Sequence, residues 1–436
     1  MNILIKNILA LLPSETAGKS FNPEKTNICI SGDRITAICG ETLPEGFSAD
    51  KVIDGTDRLL IPGLINAHTH SYMAFMRNCA DDLPFMEWLF DRVDPIEQRM
   101  SDEDAYWGAC LAILEMMKSG TTCFNDMQMN IMQTTRAAEE SGMRAVICRG
   151  LVGSGNDEAG STRLAQAYAE RNAFKDCDRL TFRLGPHAPY TCDEAFLKIV
   201  AQEASREGMG IHMHLSESVS EIENCRRDYG CTPIELAHRC GLFSLPFIAA
   251  HCVHITEHDM ELLAENHVSV VTCPASNMKL GNGFAPVPEM LDKGINICLG
   301  TDGAASNNRL SILHEMGLAA LIHKGTHASC QCISAEDTLR FSTINGAKAL
   351  GLDSETGSIE VGKKADLTIL RLKEASMWPL NDPVASLSYS ATGSEVETVI
   401  IDGKITMENR VVLTMDEERI YYETEKIMNK VQSGRR

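Results

Sequence analysis

Hydrophobic positions fall into two textures along this chain. In the middle, short apolar runs recur: "LLIPGLINAH", "TTCFND", "RAVICRG", "LTFRLGPH", "MGIHMHLSE", "PFIAAHC", "VSVVTCP" and "INICLGTD". Longer amphipathic stretches separate them, such as "DEDAYWGACLAILEMMKSG", "DEAFLKIVAQEASREG" and "SILHEMGLAALIHKG". Near-continuous apolar strands alternating with helices predict a parallel sheet covered on both faces. Eight such units predict a (β/α)8 TIM-type barrel. The competing doubly wound sheet should carry a Gly-rich nucleotide loop after an early strand, and the chain has no GxGxxG.

The two ends read differently. "NILIKNILAL", "TNICISGDRITAICG" and "KVIDGTDRLL" predict short strands, with turn signals at Ser31-Gly32-Asp33 and Asp54-Gly55. Towards the other end, "GSIEVGKKADLTILRL" and "VETVIIDGKITMENRVVL" predict hairpins, the second turning at Asp402-Gly403. A charged amphipathic helix is expected to follow. Two all-β pieces at opposite ends of a chain can pair into one small β-sandwich, because termini often lie close together. The expected organisation is a first sandwich part over 1–56, a barrel over 57–355, and a second sandwich part with the helix over 356–436.

Composition narrows the partners. A length of 436 residues suits one large barrel with a smaller accessory unit. The net charge of −20 repels polyphosphate, so no nucleic-acid partner is expected, whereas a small neutral or zwitterionic substrate is compatible. The sixteen Cys are scattered, mostly in apolar runs and without a CxxC pair, so buried reduced thiols are expected. No apolar run reaches the roughly 18 residues needed to span a membrane. The start, "MNILIKNILALLPSE", has no small-residue cleavage site. A cytoplasmic protein without membrane contact is expected, and self-association into a homo-oligomer is left open.

Candidate chemistry appears where the runs stop. They end in His68 and His70, Asp126, Arg149, His187, His214 and Glu217, His251 and Asp302. In a barrel the C-terminal strand ends share one mouth, where the reactive groups gather. Strand ends that merely reach solvent would carry Lys, Ser and Asn as often as His. In "NAHTH" alternation puts His68 and His70 on one face, so both imidazoles can reach one ion. "GIHMHLSE" repeats the pattern on the fifth strand, and "LGTDGAASN" ends the eighth with an Asp followed by small residues. Three His and one Asp, with water completing the shell, suit Zn²⁺ first and Fe²⁺ second.

"PGLINAHTH", "HLSE", "AHCVH" and "GTDGAASN", in that order, resemble the amidohydrolase superfamily, and within it the 5′-methylthioadenosine/S-adenosylhomocysteine deaminases. The resemblance runs almost end to end, to "GSIEVGKKADLTIL". It implies metal ligands His68, His70, His214 and Asp302; His212 is expected to pack or bond locally instead of binding metal. Binuclear members use a carboxylated Lys near the end of strand four. "LTFRLGPHAPY" has His187 and no Lys there, which implies one divalent metal per chain.

The expected reaction is hydrolytic deamination of an adenine nucleoside. Asp302 would accept the proton of the attacking water. Glu217 would protonate a ring nitrogen, which requires a raised pKa. The resemblance gives His251 the task of orienting that water. It makes Glu97 a partner of ribose hydroxyls, with Arg149, His187 and Ser306 as further substrate contacts. Met73, Phe85, Trp88 and Leu89 would form an apolar wall, although an ordinary helix core fits each equally well. Two rivals stay open. One is a sibling hydrolase of guanine or an s-triazine. The other is a barrel without catalysis, which should have lost ligands that this chain keeps.

Overall fold

The structure is a computed structural model and describes residues 1–14, 16 and 20–433. Its centre is the expected barrel. Eight parallel strands follow one another in chain order: Leu64–Thr69, Thr121–Gln128, Arg144–Leu151, Leu180–Pro186, Ile211–Leu215, Phe247–His251, Ser269–Thr272 and Asn296–Leu299. The last strand meets the first through side chains as well as backbone. The Asn66 amide donates to Thr301 Oγ1 at 2.7 Å and accepts from the Thr301 N–H at 3.0 Å, while the Asp302 N–H donates to the His68 carbonyl at 3.0 Å.

Both faces of this sheet are apolar, as the continuous runs required. Ile211, Met213 and Leu215 point out into the helical layer. The alternate positions turn inward, and Ile248, in register with His212, joins Ile65, Cys123, Val146, Val271 and Cys298 in a cluster beneath the mouth. None of the sixteen Cys forms a disulfide, and ten of them are buried, which fits their use as small apolar side chains. Among the described residues no helix is long and apolar enough to cross a membrane.

The terminal segments form a single mixed sheet of nine strands. The C-terminal strand Leu367–Arg371 runs antiparallel to Arg58–Pro62, which in turn lies parallel to Asn2–Pro13. At the far edge, the strand Arg34–Cys39 bonds to residues 362–365, so the sheet bends round a core of its own made by Ile3, Ile5, Ile28, Ile30, Leu367 and Ile369. The turn at Asp402-Gly403 forms as expected, with both residues at positive φ, the requirement of a two-residue hairpin loop.

Two expectations need correction. The run "LLIPGLINAH" is two strands, not one. Pro62 has no N–H to extend a ladder, and Gly63 turns the chain with its N–H on the Asp366 carbonyl. Residues 58–62 therefore belong to the terminal sheet, and the first barrel strand starts at Leu64. "GSIEVGKKADLTILRL" makes only the strand Leu367–Arg371, because its first half spends its backbone groups on Ile35 and Asp33.

The terminal sheet is fastened to the foot of the barrel by a buried ion pair. Arg144 opens the third barrel strand and meets Asp366 through Nε at 2.5 Å and Nη2 at 3.2 Å. Asp366 also accepts the Asp402 N–H at 2.7 Å. Removing one partner of a buried pair leaves the other charge uncompensated, at a cost of about 3–5 kcal/mol. Asp366→Ala should therefore lower the thermal unfolding midpoint while leaving the metal content of the folded protein unchanged. Calorimetry with elemental analysis of the same sample checks both.

Candidate active site

The strand ends converge at the mouth as alternation predicts. His68 and His70 leave the first strand, His214 the fifth, His251 the sixth, and Asp302 follows the eighth. Potential ligand atoms of His68, His70 and His214 lie within 4.8 Å of one another, as do those of His68, His251 and Asp302. His68 Nε2 and His70 Nε2 each stand 3.3 Å from Asp302 Oδ1, and His70 Nε2 lies 3.2 Å from His214 Nε2.

What aims these atoms is the other nitrogen of each ring. His70 Nδ1 is 2.6 Å from the Met127 carbonyl, and His214 Nδ1 is 2.9 Å from the His187 carbonyl. His251 Nδ1 meets Asn277 Oδ1 at 2.9 Å. His68 Nδ1 meets His212 Nε2 at 2.8 Å, and His212 Nδ1 in turn reaches the Ile248 carbonyl at 3.2 Å. An acceptor on Nδ1 fixes the tautomer that leaves Nε2 with a free lone pair. Asp302 Oδ2 takes the hydroxyls of Ser276 at 2.6 Å and Ser306 at 2.8 Å.

The electrostatics agree with a cation site. Burial pushes His68 down to about 4 and holds His214 well below the usual imidazole value, so both rings are neutral. Burial opposes ionisation of Asp302, but the closeness of its carboxyl to His68, His70 and His251 holds it well below the usual range. His68 Nε2 is buried and makes no hydrogen bond. Neutral imidazoles and a carboxylate that share one point, with an orphaned nitrogen among them, fit a divalent metal ion. Backbone strain marks the same place, since Ser216, His251, Cys252 and Asp302 all have positive φ.

Glu217 sits on the turn after His214. Its Oε1 accepts from Asn282 Nδ2 at 3.0 Å, and its Oε2 is 3.8 Å from His251 Nε2. Burial, with the Asp302 carboxylate second, pushes it up to about 8. Glu221 holds this turn, accepting the Ser216 N–H at 2.9 Å and the Glu217 N–H at 2.8 Å.

A cavity of about 640 Å³, counting its open mouth, joins this centre to a second, half-buried carboxylate, Glu97. Its walls include His70, His214, Glu217, His251 and Asp302 on one side and Met73, Phe85, Trp88 and Leu89 on the other. The apolar wall is not the regular helix considered for it. It is a 3₁₀ turn over Ser71–Met76 and a π-helical turn over Glu87–Val93. Glu97 receives the hydroxyl of Tyr72, and burial raises its pKa.

His187 and Ser306 line the cavity as expected. His187 Nδ1 is taken by Thr191 Oγ1 at 3.0 Å, which leaves Nε2 for a ligand, whereas the Ser306 hydroxyl faces Asp302. Arg149 does not line the cavity. Its guanidinium is held by Glu170 at 2.6 Å and Gln166 at 2.5 Å, and only its neighbour Gly150 reaches the wall. Asp126 is also structural, accepting the N–H and hydroxyl of Ser71 at 2.7 Å each and so anchoring the chain just past His70. Sequence reasoning missed Tyr72, Tyr190, Asn277 and Asn282. The last two stand in "PASNMKLGNG", where a cluster of polar and Gly residues after the seventh strand was the available signal.

The chain matches the amidohydrolase family over residues 59–406 and belongs to it. It is 45% identical over 428 residues to the 5-methylthioadenosine/S-adenosylhomocysteine deaminase of Thermoanaerobacter pseudethanolicus, covering 98% of each chain. Among solved structures it resembles an adenosine deaminase from Xanthomonas campestris with bound zinc, at 32% identity and a TM-score of 0.92, covering 99% of this chain and 98% of that one. The zinc complex of an atrazine chlorohydrolase from Arthrobacter aurescens, at 24% identity and a TM-score of 0.90 over 98% of this chain and all of the other, shares the fold.

The second layer should be measurable apart from catalysis. His212 touches no cavity but sets the ring of His68, and loss of such a partner costs about 10- to 100-fold in metal affinity. His212→Ala should show that loss in competition with a chromophoric chelator. Wild-type affinity would mean that His68 is oriented by its strand alone.

Proposed function

We infer that this chain removes ammonia hydrolytically from an adenine nucleoside, namely 5′-methylthioadenosine, S-adenosylhomocysteine or adenosine, giving the inosine analogue. What carries the reading is one cavity that has the metal-ligand cluster and Glu217 at one end and the half-buried Glu97 carboxylate at the other. The near full-length identity to proteins named as such deaminases supports it.

In this reading one divalent ion, zinc, is held by His68, His70, His214 and Asp302. When bound there such an ion would supply Lewis-acid chemistry, lowering the pKa of a water to about 7 so that it could act as a nucleophile at neutral pH. His251, its Nδ1 tied to Asn277, presents Nε2 to orient the water. Asp302 takes the proton that the water gives up. Glu217, protonated near neutral pH by its burial, donates to a ring nitrogen as oxygen adds to the amino-bearing carbon. The tetrahedral carbon then expels ammonia, whose extra proton comes from Asp302, while the proton of its new hydroxyl passes back to the Glu217 carboxylate as the carbonyl forms. Glu97 accepts the two vicinal ribose hydroxyls, and Trp88 and its apolar neighbours cover the ring. Arg149 supports the wall at Gly150 in preference to meeting substrate.

Glu217→Gln should lower kcat by roughly 10²-fold or more, because a lost proton donor is felt in the transition state. Elemental analysis of that variant should still find one equivalent of zinc per chain. A near-normal kcat would remove Glu217 from the reaction.

The nucleoside part of the reading is tested through Glu97. Hydrogen bonds to a charged acceptor are worth about 1.5–3 kcal/mol each, so Glu97→Ala should cost about 10- to 10³-fold in kcat/KM for a ribosylated substrate. A free base or triazine never makes those bonds and should lose little. Ammonia release from adenosine, methylthioadenosine, S-adenosylhomocysteine, guanine and amino-triazines, compared between wild type and variant, decides the matter. An unchanged ratio of nucleoside to free base would promote the guanine or triazine reading.

A further inference from the structure

The seventh barrel strand, Ser269–Thr272, delivers no reactive group of its own to the mouth. The segment after it touches three such groups in succession. Ser276 donates to Asp302 Oδ2 at 2.6 Å, Asn277 Oδ1 holds His251 Nδ1 at 2.9 Å, and Asn282 Nδ2 donates to Glu217 Oε1 at 3.0 Å. The segment is internally tied, since the Asn282 N–H donates to the Asn277 carbonyl at 2.8 Å. Gly281 and Gly283 flank Asn282 with φ of 69° and 108°, and the second value is one that side-chain-bearing residues rarely adopt. The loop is thus shaped to bring one amide to one carboxyl 65 residues away.

The chemistry of that contact is selective. A carboxylic acid carries its proton on one oxygen and accepts through the other. An amide N–H can only donate. With Asn282 Nδ2 on Oε1, the proton of Glu217 belongs on Oε2, the oxygen that faces His251 Nε2 at 3.8 Å and therefore the ligand cluster. We propose that Asn282 is the positioning residue of the proton donor, fixing which oxygen of Glu217 delivers the proton. Without it the carboxyl can rotate or carry its proton on the wrong oxygen, and a share of encounters is unproductive. This rests on the reading of Glu217 as proton donor.

The test is a double-mutant cycle in the zinc-loaded protein. Asn282→Ala should lower kcat about 10- to 100-fold, the scale of a misplaced reacting group, with KM and zinc content near wild type. Asn282→Asp, which keeps the shape and removes the donor, should fall at least as far. In the Glu217→Gln background, where there is no acid proton to place, Asn282→Ala should cost less than about 3-fold more. The same factor in both backgrounds would make Asn282 a merely structural residue and overturn the proposal, as would a wild-type kcat in Asn282→Asp. If instead wild type releases no ammonia from any nucleoside, the deaminase reading fails first. The cycle is then run on whichever ring substrate the enzyme does hydrolyse, and additivity there still overturns the proposal.

Discussion

Each imidazole at the mouth has two nitrogens, and the barrel claims one of them. Four rings have Nδ1 fastened, two to backbone carbonyls, one to an asparagine and one to another histidine. This allocation fixes the tautomers and turns the Nε2 atoms towards the mouth, where that of His68 makes no hydrogen bond. The acceptors are the carbonyls of Met127 and His187 at the ends of the second and fourth strands, so the metal centre is a readout of strand register. A shift of one strand by one residue would turn its side chains to the other face and undo the set.

The reactive end and the recognition end of the cavity are built on different physical terms. At the centre, burial keeps His68 and His214 neutral and drives Glu217 up to about 8. At the far end burial also raises Glu97, but the Tyr72 hydroxyl and the nearby His70 oppose it. The wall between them is apolar and irregular, a 3₁₀ turn followed by a π-helical turn, packed against Ile427 of the C-terminal helix. Side chains on such short turns are set by what they pack against more than by a helical repeat, which is why Trp88 was legible as part of an apolar wall but the irregular turns that carry it were not.

The eight apolar runs carried the barrel, and the polar residues that ended them carried the ligand cluster, because strand alternation and parallel order are local rules. His68, His70, His214, Glu217 and Asp302 were readable for that reason. Arg149 shows the limit. The same rule put it at the mouth, but Gln166 and Glu170, four apart on one helical face, draw its guanidinium away. Asn282 was not legible as a partner of Glu217, since only the closed barrel brings positions that far apart together. The division at Pro62-Gly63 was visible in residue type, yet both sides are apolar, and hydrophobicity alone does not say that a run serves two sheets.

That shared run has a consequence for how the molecule is made. Arg58–Pro62 and Leu64–Thr69 are consecutive, and the second leads directly to His70. The outer neighbour of the first is Leu367–Arg371, about 300 residues later in the chain. At translation rates of about 5–20 residues per second, roughly fifteen seconds to a minute separate the two. Throughout that interval Leu59, Leu60 and Ile61 present an unpaired apolar edge to the cell. His68 and His70 are therefore synthesised early, while the strand that completes the sheet beside their own is added late.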